Sequence, residues 1–191
     1  MQQEHDKVQV TPALLRWERF LQEYRLPAWE ELPRLELYMD QVVSLLKEYL
    51  AYLAAPEENF ITPMMINSYV KQKCIPPPVK KRYSRQHLAC LIMLCIFKQT
   101  LSVADAAELL PRGGEEEVQR AYGRFVELHG MLGPGFTQYI RAGAGAVLDG
   151  VGGEEAVSDL RVQAAVTATH AKLLAVKLGR LCRGPETEGE Q

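Results

Sequence analysis

Seven cations and no carboxylate occupy the stretch from Phe60 to Ala104. Lys71, Lys73, Lys80, Lys81, Arg82, Arg85 and Lys98 stand there with no Asp or Glu among them. The whole chain has a formal charge of −2, so the rest of it carries −9. A basic patch on an acidic body is the footprint of a surface that meets a polyanion in one orientation. A lone Lys-Lys-Arg run is more often a solvated loop. Here, however, a helix with a suitable polar face adjoins it. On a helix from 63 to 72, Met64, Asn67, Ser68 and Lys71 share one face, and Ile66, Tyr69 and Val70 share the other. The first set suits a major groove, with Asn and Ser toward base edges and Lys toward phosphates. The second set suits a core. The run Ile75-Pro76-Pro77-Pro78 cannot continue the helix or supply ladder N–H groups, so it is expected to form a stiff, extended arm. That arm would present Lys80, Lys81 and Arg82 beside the helix. The candidate residues for binding double-stranded DNA are Thr62, Met64, Asn67, Ser68, Tyr69, Lys71, Lys73, Lys80, Lys81, Arg82, Tyr83 and Arg85.

Other chemistry is weaker. His87 and Cys90 are three apart on one predicted helix, and Cys95 follows, but Cys95 is rotated off their face and the surroundings are apolar. Buried structural cysteines explain that pattern better than a metal or redox centre. The glycines of Arg141–Gly153 do not follow a strand, so they are no dinucleotide fingerprint. Glu115, Glu116 and Glu117 suit a helix N-terminus. His129 and His170 have no nucleophile or carboxylate at useful spacing. No catalytic residue, cofactor or metal is therefore expected, and the chain reads as a non-enzymatic protein. Trp17, Trp29, Tyr38, Tyr49, Tyr52, Tyr122 and Phe125 could line a ligand cavity, although core packing is the commoner use of such a set.

The elements that must position the basic face are helical. Residues 1–10 read as a disordered tail, and Thr11-Pro12 as an N-cap followed by proline at the first helical position. A helix to about Tyr24 follows, then a connector bracketed by Pro27 and Pro33, then a second helix from about Leu35 to Leu53. Thr62-Pro63 repeats the start signal for the helix running to Lys73. Ser84 caps a fourth helix to about Thr100, apolar on nearly every face and therefore the axis of the domain. Ser102 caps a short fifth. Glu115–Leu132 forms the next helix, broken by Gly133-Pro134-Gly135. A weaker helix spans Phe136–Leu148, a long alanine-rich one spans Glu154–Leu181, and 184–191 is a solvated tail. The expected class is all-α, with at most a short two-stranded wing. The expected organisation is 11–110, with its core at 60–110, followed by a helical region at 111–183. The first residues show no export signal, and the apolar run Leu88–Phe97 is too short to span a bilayer. A cytoplasmic protein with reduced cysteines is expected, with no membrane partner.

Several of these strings resemble a known family. Ile66-Asn67-Ser68-Tyr69, Cys74-Ile75-Pro76-Pro77, Arg82-Tyr83-Ser84 and Leu101–Leu110 are similar to the winged helix-turn-helix domain of MerR-type bacterial transcription factors. More closely, LELYMDQVVSLL, ITPMMINSYVKQK, IPPP and KRYSRQHLACLI look like a bacterial family of domains of unknown function, itself regarded as MerR-like. The resemblance covers about residues 27–130. It implies a dimeric transcription regulator, with the 62–73 helix in a major groove and the 80–85 arm on the backbone. Two positions depart from the MerR pattern. Asn67 stands where an Arg is common, and Lys73 stands where a Gly closes the recognition helix. Either Lys73 itself takes a positive φ, or the turn differs. The MerR relatives dimerise through a long C-terminal helix, and 154–181 could serve, although its spacing is no clean heptad. The alternatives to DNA binding are a protein-interaction adaptor and a sensor for an unknown small-molecule effector, each keeping the same scaffold.

Overall fold

A helix that is apolar all round must be surrounded, and α4 (Arg85–Phe97) is. Nine consecutive residues, His87–Cys95, are buried in it. In the computed structural model, which describes residues 2–53, 60–149 and 153–182 (side chains from residue 10 onward), α4 is the axis of one of two compact units. The described residues form eight α-helices and two short 3-10 turns, with isolated bridges in place of strands, so the class is all-α.

The first unit comprises the described residues of 26–126 and 175–182. Within it, α2 (Met39–Tyr49) packs on α4 and on α3 (Pro63–Lys71), while α5 (Val103–Glu108) packs on α4. Val42 and Leu46 of α2, Ile66 and Tyr69 of α3, and Ala106 of α5 are the buried residues that these helices contribute. Each large aliphatic side chain so buried is worth about 1.5–3 kcal/mol. The aromatic set predicted at the core is there in part. Trp29 and Tyr122 are buried with rings 6.3 Å apart, Phe125 stacks edge-on against Phe97, and the Tyr122 hydroxyl donates to the Pro27 carbonyl at 2.9 Å.

The second unit comprises 1–25 with 127–174. There α1 (Gln2–Glu23) lies on α7 (Gly145–Leu148), with the Thr11 hydroxyl donating to the Val147 carbonyl at 2.8 Å. Buried Glu18 is paired with Arg141, and Trp17 meets Phe136 edge-on. The consecutive division expected from sequence, 11–110 and 111–183, cuts the chain differently.

Four boundaries differ from the sequence-based expectation, the first three for a physical reason visible in the contacts. First, α1 takes in most of the segment read as a tail, so Thr11 is not its cap and Pro12 lies inside it. The N–H that proline lacks is one bond in a long helix, and the Thr11 hydroxyl serves α7 instead. Second, α2 begins at Met39 rather than Leu35. Leu37 exchanges two backbone hydrogen bonds with Tyr83 (2.9 and 2.8 Å), which draws that stretch out of the helix, and Leu35 is left 80% exposed. Third, Gly133-Pro134-Gly135 does not break α6 (Glu115–Gly143). A Cβ at Gly133 would lie 3.0 Å from the Leu21 carbonyl oxygen, so this glycine permits close approach of α1. The Thr137 hydroxyl donates back to the Pro134 carbonyl at 2.8 Å. Fourth, the weak helix expected over Phe136–Leu148 is split at Ala144, between the end of α6 and α7. The last helix, α8 (Gly153–Cys182), opens at Gly153 with a positive φ of 58°. The tail at 184–191 lies outside the described residues, and no described helix is long and apolar enough to cross a membrane.

Candidate nucleic-acid interface

Thr62 and Pro63 open α3 as their types require. The Thr62 hydroxyl accepts from the Met65 N–H at 3.3 Å, and Pro63 occupies the first turn, where its missing N–H costs nothing. The helix closes in a Schellman motif. The Cys74 N–H bonds the Tyr69 carbonyl at 2.9 Å, and the Lys73 N–H bonds the Val70 carbonyl at 3.0 Å. That motif needs a left-handed residue at the position after the cap, normally glycine. Lys73 fills it, at φ 58°. Of the two possibilities open from sequence, the first is therefore realised: the turn is kept, and the lysine bears its strain.

The second turn repeats the pattern. The Val79 and Arg82 backbones bond each other in both directions, at 3.2 and 2.9 Å, with Lys80 at φ 49° and Lys81 at φ 64° between them. Two positive φ values in a two-residue loop make a hairpin turn of the I′ kind, whose favoured occupants are Asn and Gly. The stiff, extended arm expected here is therefore a hairpin tip. The prolines lead into it, but backbone pairing decides its shape. Among the described residues, the only non-glycine positions with positive φ are these three lysines. Each such position costs about 1 kcal/mol or more.

The base of the hairpin is fixed to the core. Buried Tyr83 bridges to Leu37, and buried His87 ties the N-terminus of α4 to the arm. The Ser84 N–H donates to His87 Nδ1 at 3.0 Å, so that nitrogen is the acceptor. The ring proton then sits on Nε2, facing the Pro77 carbonyl at 3.4 Å. Burial holds the His87 pKa below its ordinary value, against the opposing pull of the Pro77 and Pro76 carbonyls and of Glu36. The imidazole is neutral in this role.

The twelve candidate residues divide. Met64, Asn67, Lys71, Lys73, Lys80, Lys81 and Arg82 are exposed. Thr62 and Ser68 are half-buried, Thr62 engaged as the cap and Ser68 accepting from Gln72 Nε2 at 2.8 Å. Three leave the face. Tyr69 and Tyr83 are buried, 4% and 3% exposed, because their rings fill the core beneath α3 and the hairpin. Arg85 is turned inward, donating to the Leu32 carbonyl at 2.6 Å with its guanidinium over the Trp29 ring. A helix wheel could not foresee that, because the carbonyl it serves lies 53 residues away.

Sequence reading also missed a residue. Tyr38, half exposed, accepts from Arg82 Nη2 at 2.9 Å and lies beneath its guanidinium at 4.8 Å, so it aims the cation at the hairpin's edge. The adjacent Leu37–Tyr83 bridge brings it there. Cys90 and Cys95 are buried, their thiols pushed up by that burial to about 11 and about 12, so they are poor thiolates. No three His, Cys, Asp or Glu side chains converge on a metal-sized site among the described residues.

Residues 27–125 match the family described as Domain of unknown function (DUF1836). No curated protein matches the chain, and neither does any solved structure.

Proposed function

The chain belongs to that family of unknown function, and we propose that it is a non-enzymatic duplex-DNA-binding protein, a transcription regulator with a MerR-like winged helix-turn-helix. In this reading α3 enters a major groove with Asn67 and Ser68 toward base edges. Lys71 and Lys73 hold phosphates, and the Lys80–Lys81 tip, with Arg82 beside it, holds the adjacent backbone or minor groove.

One observation carries the reading. Three lysines occupy left-handed backbone positions where glycine or asparagine would be less strained, and all three are exposed in a segment without carboxylates. A fold that bears strain to keep charge there is using the charge. The protein is read as a homodimer on a two-fold operator. Support for this comes from α8, where Leu173, Leu174, Leu178 and Leu181 are exposed on a 30-residue helix with no buried residue.

The test is selection of bound duplexes from a random pool, followed by a salt titration. A palindromic consensus is expected, with log K falling against log salt by about 0.9 per phosphate neutralised. Asn67→Ala should alter the selected sequence, whereas Lys71→Ala should weaken all sequences alike. Salt-independent binding, or no recovered duplex, removes the proposal. Exposed Met64 on the same face of α3 favours the second reading, a protein-interaction adaptor. A stable protein partner in the absence of any duplex affinity would establish that instead.

A further inference from the structure

A groove of about 420 Å³ opens between the C-terminal end of α3, the proline arm and the first turn of α6. Val70, Ile75, Pro76 and Val118 supply apolar wall, and Lys73 and Arg112 supply two cations. No Asp or Glu is among its lining residues, and neither cation is in a salt bridge among the described residues, although Arg112 also borders a second cleft with Asp105 and Glu108. The Glu117 carboxylate, which lies against Gly113, accepts from the backbone N–H of Arg112 at 3.3 Å. The thiol-bearing Cys74, half-buried, also lines the groove.

An apolar trough with two cations at its edge, neither of them in a salt bridge among the described residues, suits an anion with an apolar body. We propose that the groove binds a small organic monocarboxylate, its apolar body against Val70, Ile75 and Val118 and its carboxylate between Lys73 and Arg112. A guanidinium offers a carboxylate paired donors, and the ammonium adds a point charge. Free phosphate has no apolar body to leave water, so the walls discriminate against it. The occupant would touch the strained turn that ends α3 and the arm whose Pro77 carbonyl faces His87. Lys73 would then serve either the bound acid or a DNA phosphate. This coupling rests on the DNA-binding reading, whereas the groove site does not.

The experiment uses the full chain carrying Cys182→Ser. Cys182 is exposed and Cys95 is buried, while Cys90 lines the groove but is only 4% exposed, so with Cys182 replaced Cys74 is the most exposed thiol. Its alkylation by iodoacetamide is followed by intact mass with phenylacetate, phenylpropionate and phenylbutyrate as probes, each against its neutral amide. Saturable slowing of at least several-fold by an acid and not by its amide is expected, abolished in Lys73→Gly with Arg112→Gln. Lys73→Gly preserves the left-handed turn, so loss of protection reports the amine and not misfolding. Equal protection by the amides, protection that survives the double variant, or no protection by any of the three acids overturns the proposal. In a separate arm, the protecting acid should weaken duplex binding by roughly 5-fold or more, within the usual range for coupled sites. Unchanged duplex affinity overturns the coupling and leaves the groove standing. Absence of any duplex affinity overturns the DNA reading, and the alkylation result then judges the groove alone.

Discussion

α4 and the Val79–Arg82 hairpin are separated in sequence only by Tyr83 and Ser84, yet they are governed by different physics. α4 buries nine consecutive residues, and its backbone is helical throughout. The hairpin exposes every one of its four residues and holds two of them at positive φ. The helix is where folding free energy is concentrated. The hairpin gives a little of it up as backbone strain. The difference teaches how substitutions should sort: changes in α4 ought to act on stability, and changes at the lysines ought to act on ligand affinity, even with the opposite sign on stability.

The largest effect should come from the buried side. Leu91→Ala, at a fully buried position, is expected to cost about 3 kcal/mol in chemical denaturation. Duplex affinity per folded molecule should be unchanged. A selective loss of affinity in a still-folded variant would break the division of labour.

Next comes the pair Lys80→Asn with Lys81→Gly, which installs the preferred residues for this turn. Stability should rise by about 1–2 kcal/mol, while the magnitude of the salt slope should fall by about 0.9 for each phosphate no longer neutralised. A variant that is less stable, or that binds duplex with an unaltered slope, contradicts the account of the lysines. Lys73→Gly should behave in the same way at the end of α3, by about 1 kcal/mol.

A smaller change sharpens the comparison at its boundary. Tyr38→Phe removes the hydroxyl that accepts from Arg82 but keeps the ring beneath the guanidinium. Duplex affinity should weaken by roughly 0.5–1 kcal/mol, with the melting transition little moved. An unaltered affinity would show that Tyr38 does not aim the cation.

The smallest effect expected is on pH. Because burial lowers the folded pKa of His87 below its ordinary value, the unfolded chain takes up the proton first. Stability is therefore complete above the unfolded pKa of about 6.5, and declines as pH falls from there toward the lower folded value. Denaturation midpoints at pH 7 and pH 5 measure this. His87→Gln, which can still accept the Ser84 N–H, should flatten the dependence, and the remainder belongs to His129, whose pKa is also lowered by burial and by Arg25. An identical pH slope in the variant would show that His87 does not contribute.

Much of the fold was legible because its signals are local. Thr62-Pro63, Ser84 and Ser102 mark helix starts by chemistry that acts within one turn. The apolar run of α4 needs no partner to announce that it is buried. Three of the four misread boundaries involve pairings distant in sequence: Leu37 with Tyr83, Thr11 with Val147, Gly133 with Leu21. Glycine and proline punctuate a chain only when nothing else claims them, and here a neighbouring backbone did.

The candidate site follows the same rule. The charge segregation and the two faces of α3 were properties of the sequence alone, since composition and helical period determine them, while the unusual position of Lys73 was implied by the family resemblance. Tertiary structure decided that Tyr69, Tyr83 and Arg85 turn inward and that Tyr38 joins Arg82. It also decided that the proline arm ends in a hairpin carrying two left-handed lysines. Those outcomes depend on which carbonyls and rings stand nearby, and only the folded chain brings them there.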